Sequence, residues 1–419
     1  MHVVVLAEFA VPSGGAEKVA LESARGLAEA GIAVTYIQAI AGAADPLLDH
    51  PGVRRICLGL SDVWSRSPAA AALSAIWHRE AARRLAKVLD GLARPPDLLH
   101  LHQWTRSLSP SVFPVLFARG VPVVATLHDY FLACPNGVHY RFDRAEPCRL
   151  APMSAPCLVA PCDGRSRAHK LVRVARTAAL RAAIGRNRLH VVHVSDASRT
   201  RIGGLLGAYD VRHHRIDNPV RVAKGPAADP ARGDAVAYVG RLTREKGADL
   251  VAGAAAEAGL TALLVGTGPL EAELRAMPGV ELMGWQAPDA VERLLRTRAR
   301  ALVAPSRWYE TGPLTVYEAL AAGLPVVVSG RAGASEKVAD GVSGFVVEPD
   351  VAPLTAALRK IARDDAARAL GLAAHARYWG APMTLAAHAD ALVSLYATLV
   401  RERASIASER VDEAALAVE

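Results

Sequence analysis

Short apolar runs alternate with stretches whose apolar residues recur at helical spacing, almost from one end of the chain to the other. In the first half, residues 3–7, 33–37, 97–101 and 121–127 read as strands. Residues 16–29, 69–92 and 109–119 read as helices between them. Strand, helix and strand repeated in this order imply a parallel sheet covered by helices on both faces. The rhythm breaks at residues 128–167, which are rich in Pro, Cys and Arg and too long for an ordinary connection. It resumes with a basic helix at 168–186 and a strand at 190–194. Asn218-Pro219 and the Gly/Pro/Asp-rich residues 224–234 mark a linker. Past it the alternation restarts, with strands at 235–239, 260–265, 280–283, 301–304, 325–329 and 345–347 and helices at 247–258 and 314–322. A last helix at about 384–403 has no strand after it, and the tail past Ala404 is expected to fray. The pattern predicts an α/β protein of two similar halves. Residues 1–220 form the first, carrying the insert 128–167, and residues 221–380 the second. Residues 381–419 are expected to form a helix that packs back on the first.

Composition agrees with two buried cores: 419 residues, 52% of them hydrophobic, exclude global disorder. The net charge of +8 favours an anionic partner, and nucleotide, phosphorylated lipid, membrane surface and nucleic acid all satisfy it. No apolar run reaches the roughly 18–20 residues that span a bilayer. The opening Met1-His2 followed by an apolar run reads as a first strand, not a secretory leader, so a cytoplasmic protein is expected.

Three motifs carry chemistry. Pro12-Ser13-Gly14-Gly15-Ala16-Glu17 follows the first strand and opens the first helix, where free N–H groups favour an anion. It lacks the third glycine of the dinucleotide fingerprint, and a plain tight turn reads the same way. Gly240-Arg241-Leu242 to Lys246-Gly247 joins a strand end to a helix start, where two cations can converge on a diphosphate. A pair of solvated surface charges is the bland reading of that segment. Glu310-Thr311-Gly312-Pro313-Leu314-Thr315-Val316-Tyr317-Glu318 sets one carboxylate in a loop and another about two turns into the following helix. The first can hold a sugar hydroxyl and the second a ribose diol. Paired carboxylates also serve glycoside hydrolysis, but a neighbouring cationic loop suits donor binding better.

Two further features stand apart. Cys134, Cys148, Cys157 and Cys162 fall in the irregular insert, where four thiolates can bind a structural zinc. Unbound buried thiols, an iron–sulfur site and two disulfides are the other readings. Between residues 165 and 188 basic side chains interleave with apolar ones, as on a helix resting at an anionic membrane or on a solvated helix face. His100 and His102, two apart in a strand, face one side, and two histidines alone make a poor metal site.

The order and spacing of Gly240-Arg241…Lys246-Gly247, Gly266-Thr267-Gly268-Pro269, Gly284, the two glutamates and Ala321-Ala322-Gly323-Leu324-Pro325-Val326-Val327, with Gly341…Gly344-Phe345, resemble the donor half of a retaining family 4 glycosyltransferase. Gly14-Gly15-Ala16-Glu17 and Thr126-Leu127-His128-Asp129 resemble the first half of the same family more loosely. The resemblance implies the GT-B fold, two Rossmann-like domains with parallel sheets facing across a cleft. It implies transfer of a sugar from a nucleotide-diphosphate sugar, UDP-sugar before GDP-sugar, to an acceptor hydroxyl in glycan, glycolipid or glycoconjugate synthesis. The acceptor is a glycan, lipid-linked or small molecule, with peripheral contact at the inner membrane face and no nucleic acid. By the same resemblance Arg241 and Lys246 hold the diphosphate, Glu318 the ribose, and Glu310 with the backbone at Gly312, Pro313 and Leu314 the sugar. His128 lies near the anomeric carbon, and Gly15 and Gly240 admit the phosphates. No catalytic metal is implied, since cationic side chains take that part. The sequence departs from the family at Thr311-Gly312-Pro313, where an aromatic-glycine pair is more usual, and at residues 330–336. Two rivals are a sugar-nucleotide epimerase of this fold and a basic membrane- or nucleic-acid-binding protein with a degenerate sugar site.

Overall fold

The computed structural model describes residues 1–416, with side chains described through Ser405. In the first half the strands are β1 (His2–Ala7), β2 (Ala33–Ile40), β3 (Val53–Leu60), β4 (Leu98–Leu101) and β5 (Val123–Leu127). A small antiparallel hairpin, β6 (Tyr140–Arg141) and β7 (Glu146–Pro147), precedes β8 (Leu189–His193) and β9 (Val211–Arg215). All but the hairpin join one parallel sheet in the order β3-β2-β1-β4-β5-β8-β9. The helices are α1 (Gly15–Glu29), α2 (Pro68–Ile76), α3 (Arg79–Asp90), α4 (Val112–Phe117), α5 (Ala155–Val159), α6 (Arg167–Ile184) and α7 (Asp196–Gly203).

Burial on both faces explains why the central strands read as unbroken apolar runs. Along β1, Val3, Val5 and Ala7 pack with Leu21 and Leu27 of α1. Val4 and Leu6 face the opposite core, with Leu85 of α3, Phe113 of α4 and Leu180 of α6. The edge strands escape this pattern. β3 carries the exposed Arg54 and Arg55, and β9 is Val-Arg-His-His-Arg, so neither announces itself by hydropathy. The single helix expected at 69–92 is two helices. The His78 backbone N–H donates to Ser109 Oγ at 2.9 Å and its ring Nδ1 meets Ser107 O at 2.5 Å, which turns the chain between α2 and α3.

The second half repeats the plan with β10 (Ala235–Val239), β11 (Thr261–Val265), β12 (Val280–Gly284), β13 (Ala299–Ala304), β14 (Val326–Ser329) and β15 (Gly344–Val347), parallel in the order β12-β11-β10-β13-β14-β15. Its helices are α8 (Ala248–Ala258), α9 (Glu271–Arg275), α10 (Pro288–Arg298), α11 (Leu314–Ala322), α12 (Val351–Ile361) and α13 (Asp364–Gly380). The architecture is two Rossmann-like domains with parallel sheets, the GT-B arrangement.

The chain then returns. Met383 O accepts from Val220 N at 2.8 Å, so the outward and homeward crossings lie side by side. The last helix, α14 (Leu385–Leu416), lays Leu392, Tyr396 and Leu399 into the same core as Val3, Val5 and Leu21. Within Asp364–Ser405 lies an 18-residue stretch apolar enough on average to cross a membrane by length and composition. Its buried stripe at i, i+4 and i+7 is the signature of a helix packed on a protein core. The helix continues past Ala404 to Leu416, and its side chains beyond Ser405 lie outside the described residues.

Candidate active site

Gly247 brings the first set of groups together. It has φ +79°, and a Cβ there would stand 2.5 Å from Pro305 O, so only glycine lets the β10–α8 loop close onto the end of β13. That closure seats Lys246 against Glu310: the ammonium donates to Oε1, and Ser306 Oγ donates to Oε2. Trp308 lies beneath, its ring 5.3 Å from Lys246 Nζ and 5.6 Å from the Arg241 guanidinium. Arg241 is mostly exposed, 4.0 Å from Glu245, and free to turn onto a ligand. Burial, with Arg241 beside it, pushes the Lys246 ammonium down to about 7, against the pull of the Glu245 carboxylate. Gly240 continues β10 by donating to Val265 O at 2.9 Å. Gly266, at φ +133°, packs so close that a Cβ would sit 2.0 Å from Gly240 O.

Gly312 and Pro313 lead into α11, whose cap makes no side-chain hydrogen bond. Val316 N donates to Pro313 O at 3.3 Å, and the N–H groups of Leu314 and Thr315 before it stay uncommitted among the described residues, at the helix's positive end. A Cβ on Gly312 would crowd the Tyr317 hydroxyl at 3.0 Å. One on Gly15 would meet Leu314 Cδ1 at 3.9 Å, an ordinary contact, so sterics alone do not demand glycine there. This contact nevertheless puts the start of α1 against the start of α11. One turn on, Lys18 Nζ donates to Glu318 Oε1 at 2.6 Å across the cleft. Glu22 joins the same group, and burial raises it to about 7 against the pull of Lys18 and Arg221.

His128 closes the third side. Its carbonyl accepts from Thr311 Oγ1 at 3.0 Å, and its Nε2 lies 3.1 Å from His102 Nδ1. Thr311 O in turn accepts from Ser195 Oγ at 2.6 Å. Burial lowers His128 to about 3, which keeps it neutral at ordinary pH, and raises Asp129 to about 6. Nearby, Tyr309 carries the Arg201 guanidinium 3.2 Å over its ring and faces His139 at 6.2 Å.

Lys246, Glu310 and Arg241 thus share one cluster, and His128 reaches it through Thr311. Glu318 stands on the next helix, occupied by Lys18. Sequence reasoning missed Lys18, Ser306 and Trp308. The Ser-Arg-Trp run after β13 carries no family-independent signal, and Lys18 looks like any helix-surface lysine. The departures at Thr311 and Glu336 acquire a role as interdomain contacts. The Glu336 carboxylate takes Asp196 N at 2.8 Å and pairs with Arg215. A separate groove of about 1060 Å³, lined by His190, His213, His214 and Arg212 with part of α14, holds none of the cleft residues.

Cys134, Cys148, Cys157 and Cys162 are buried, free thiols of the insert. Among the described residues no three or more His, Cys, Asp or Glu side chains are grouped so as to hold a metal ion. Of the basic side chains between residues 165 and 188, Lys170 and Arg176 of α6 point inward and are buried, whereas Arg165, Arg167, Arg186 and Arg188 face solvent.

Residues 14–164 match the family model described as glycosyl transferase 4-like domain, and residues 233–364 match that of glycosyl transferases group 1. A D-inositol 3-phosphate glycosyltransferase of Frankia alni is 31% identical over 273 residues, 60% of this chain and 61% of that protein. The chain therefore spans less than two thirds of that relative's length. The enzyme of the same description from Catenulispora acidiphila is 28% identical across 93% of this chain and 91% of its own. Among solved structures, sucrose-phosphate synthase of Thermosynechococcus elongatus superimposes with a TM-score of 0.70 at 19% identity, covering 96% and 99% of the two chains. Anabaena HepE in complex with UDP and glucose gives 0.65 at 18%, covering 95% and 100%.

Proposed function

Because the chain belongs to the group 1 glycosyl transferases, we propose that it moves a sugar from a nucleotide-diphosphate sugar, a UDP-sugar first, to an acceptor hydroxyl with retention of configuration. One observation carries the reading: Lys246, Glu310 and Ser306 form a contact cluster over Trp308, with Arg241 beside it and the uncapped start of α11 following. Two cations and the N–H groups of Leu314 and Thr315 suit a departing diphosphate, and the Glu310 carboxylate suits a sugar hydroxyl once Lys246 releases it. UDP, glucose and UDP-glucose in complexes of HepE support a uridine donor here.

In the reaction the bond from the anomeric carbon to the diphosphate oxygen breaks while that carbon bonds the acceptor oxygen on the same face. The acceptor proton passes to the departing diphosphate. Arg241 and Lys246 stabilise the charge that grows on that leaving group. Lys246 must exchange Glu310 for phosphate, which frees Glu310 for the sugar. Glu318 likewise exchanges Lys18 for the ribose diol. His128, neutral because it is buried, serves as a hydrogen-bonding wall near the anomeric carbon and not as an acid.

The expected result with a panel of nucleotide sugars is thermal stabilisation by one of them, since a ligand of the folded state alone shifts unfolding by mass action. Glu318→Ala weakens that donor about 10–100-fold by calorimetry, in line with a lost charged hydrogen bond to a buried diol. Equal affinity in the variant removes Glu318 from the site, and donor consumed without any acceptor product points to an epimerase instead.

Membrane contact forms part of the same proposal through a different surface. Trp64, Leu73, Trp77 and Leu171 are exposed around α2 and α6, with the Arg165 guanidinium 3.9 Å over the Trp64 ring. Aromatic and aliphatic side chains beside arginine suit an anionic bilayer surface. Trp64→Ser with Leu171→Ser is expected to reduce cosedimentation with phosphatidylglycerol vesicles at least about fivefold while leaving donor affinity unchanged. Binding that survives both changes places the contact elsewhere.

A further inference from the structure

Glu310 stands in the second domain, yet the residues on either side of it are held by the first. Tyr309 packs against the first domain's core, the cluster that holds Tyr130, Leu132 and Leu206. The Arg201 guanidinium of α7 lies 3.2 Å over its ring. His139 of the insert stands 6.2 Å from the same ring and is itself stacked on Tyr130 at 6.0 Å. Thr311, on the other side, is tied twice. Its Oγ1 donates to His128 O at 3.0 Å, and its O accepts from Ser195 Oγ at 2.6 Å. Ser195 also caps α7, accepting from Ser198 N at 3.0 Å, so one short helix grips both flanks of the glutamate.

Between these anchors the Glu310 backbone belongs to its own domain. Its N–H donates to Arg331 O at 3.3 Å, and its O accepts from Gly333 N at 2.8 Å. These bonds make a parallel β-bridge between Glu310 and Ala332, and in such backbone successive side chains point to opposite sides. Tyr309 and Thr311 therefore face the first domain, while the Glu310 carboxylate turns back to Lys246 and Ser306. A Cβ on Gly333 would collide with Ser195 Oγ and Thr311 O, so glycine alone lets the bridge lie against α7. His139 is buried, and burial lowers it to about 4, so the far wall of the Tyr309 socket is a neutral ring that does not repel Arg201. The glutamate cannot shift unless one of its two neighbours leaves the other domain.

We propose that Tyr309 is a positioning residue for sugar recognition: clamped between Arg201 of α7 and His139 of the insert, it holds Glu310 where the donor sugar needs it. Through His139 the insert thereby bears on a carboxylate of the other domain. The inference rests on the donor reading given above, in which Glu310 holds the sugar. It adds a division of labour. Arg241 and Lys246, which meet the diphosphate, sit on a loop of the second domain and need no anchor in the first. Glu310 does need one, so affinity for the sugar depends on both domains and affinity for the nucleotide diphosphate does not depend on the clamp.

Hydrogen exchange on the unliganded full chain tests the clamp by itself. In Tyr309→Ala and Arg201→Met the amides of Glu310 and Gly333 are expected to exchange about tenfold faster, with those of β10 and β13 unchanged. Tyr309→Phe keeps the ring and the parent rates, and Arg201→Met covers the case in which Tyr309→Ala does not fold. Calorimetry with UDP-glucose and with UDP then isolates the sugar. The ratio of the two affinities is expected to fall about tenfold in Tyr309→Ala and about threefold in Arg201→Met, while UDP alone stays within about twofold. Tyr309→Phe keeps the parent ratio, which a general loss of fold would not do. Exchange that is unchanged at Glu310 and Gly333, or that rises in every strand alike, overturns the clamp. A ratio that holds in Tyr309→Ala, or UDP and UDP-glucose weakened by the same factor, removes the positioning role and leaves the donor site standing. A parent that binds neither compound ends the donor reading instead, and the exchange rates still decide the clamp.

Discussion

Lys246→Ala is expected to lower kcat by about 10²–10³-fold with the fold intact, the loss typical of a preorganised group that meets charge as it develops. Its side chain is partly open to the cleft, and its neighbours Ser306 and Trp308 pack without it. The reason for so large a value lies in what remains. With the ammonium gone, the Glu310 carboxylate faces the incoming diphosphate unneutralised, so the variant loses an attraction and gains a repulsion. The pair therefore couples. Glu310→Gln alone keeps the hydrogen bond from Ser306 and impairs sugar positioning, whereas Lys246→Ala with Glu310→Gln is expected to bind donor more tightly than Lys246→Ala by itself. A double-mutant cycle on donor affinity and kcat reads this directly. Strictly additive effects, or a kcat within twofold of the parent, would remove the pair from the site.

How much of this was legible beforehand depends on what each residue answers to. Strands β1, β4, β5, β10, β13 and β14 are buried on both faces, so hydropathy alone finds them. Edge strands β3 and β9 answer to solvent on one side, and their arginines and histidines conceal them. Glu310, Lys246 and Arg241 were visible because glycine and proline mark the strand-end loops that carry them. Lys18 was not visible, because its meaning comes from Glu318, 300 positions away. The inward turn of Lys170 and Arg176 was hidden for the same reason: a basic residue on a helix reads as solvated until the surface it faces is known. Thr311 shows the converse. The pattern marks it only as a departure from the family, and its hydroxyl ties the loop after Glu310 to His128 O.

Acidification from pH 7 to pH 5 is expected to lower the thermal midpoint by about 5–10 °C, through histidines that the fold buries without charge. His100 and His193 are pushed down to about 3 and His388 to about 4, in each case chiefly by burial. Between those values and about 6.5 the unfolded chain binds protons that the folded one does not. Stability from these groups is therefore whole above about pH 6.5 and falls as the pH drops, by about 2 kcal/mol per histidine at pH 5. Glu22 and Asp129, raised to about 7 and about 6, pull the other way over the same range, but the buried histidines outnumber them. His102 and His128 add to the same side, and a first proton on any of His100, His102, His128 or His388 repels the next. The location of these rings sets which part yields first. His100 Nδ1 lies 2.5 Å from the Tyr396 hydroxyl, and His388 bridges Ser23 Oγ at 2.8 Å and Asp217 O at 2.7 Å. Both contacts fasten α14 to the first domain, so hydrogen exchange at pH 5 should open α14 before either sheet. His388→Gln, which keeps a donor and an acceptor but cannot titrate, is expected to flatten the midpoint's dependence on pH and delay that opening. Midpoints that stay level between pH 5 and 7, or an acid response identical in His388→Gln, would mean that these imidazoles do not hold the returning helix in place.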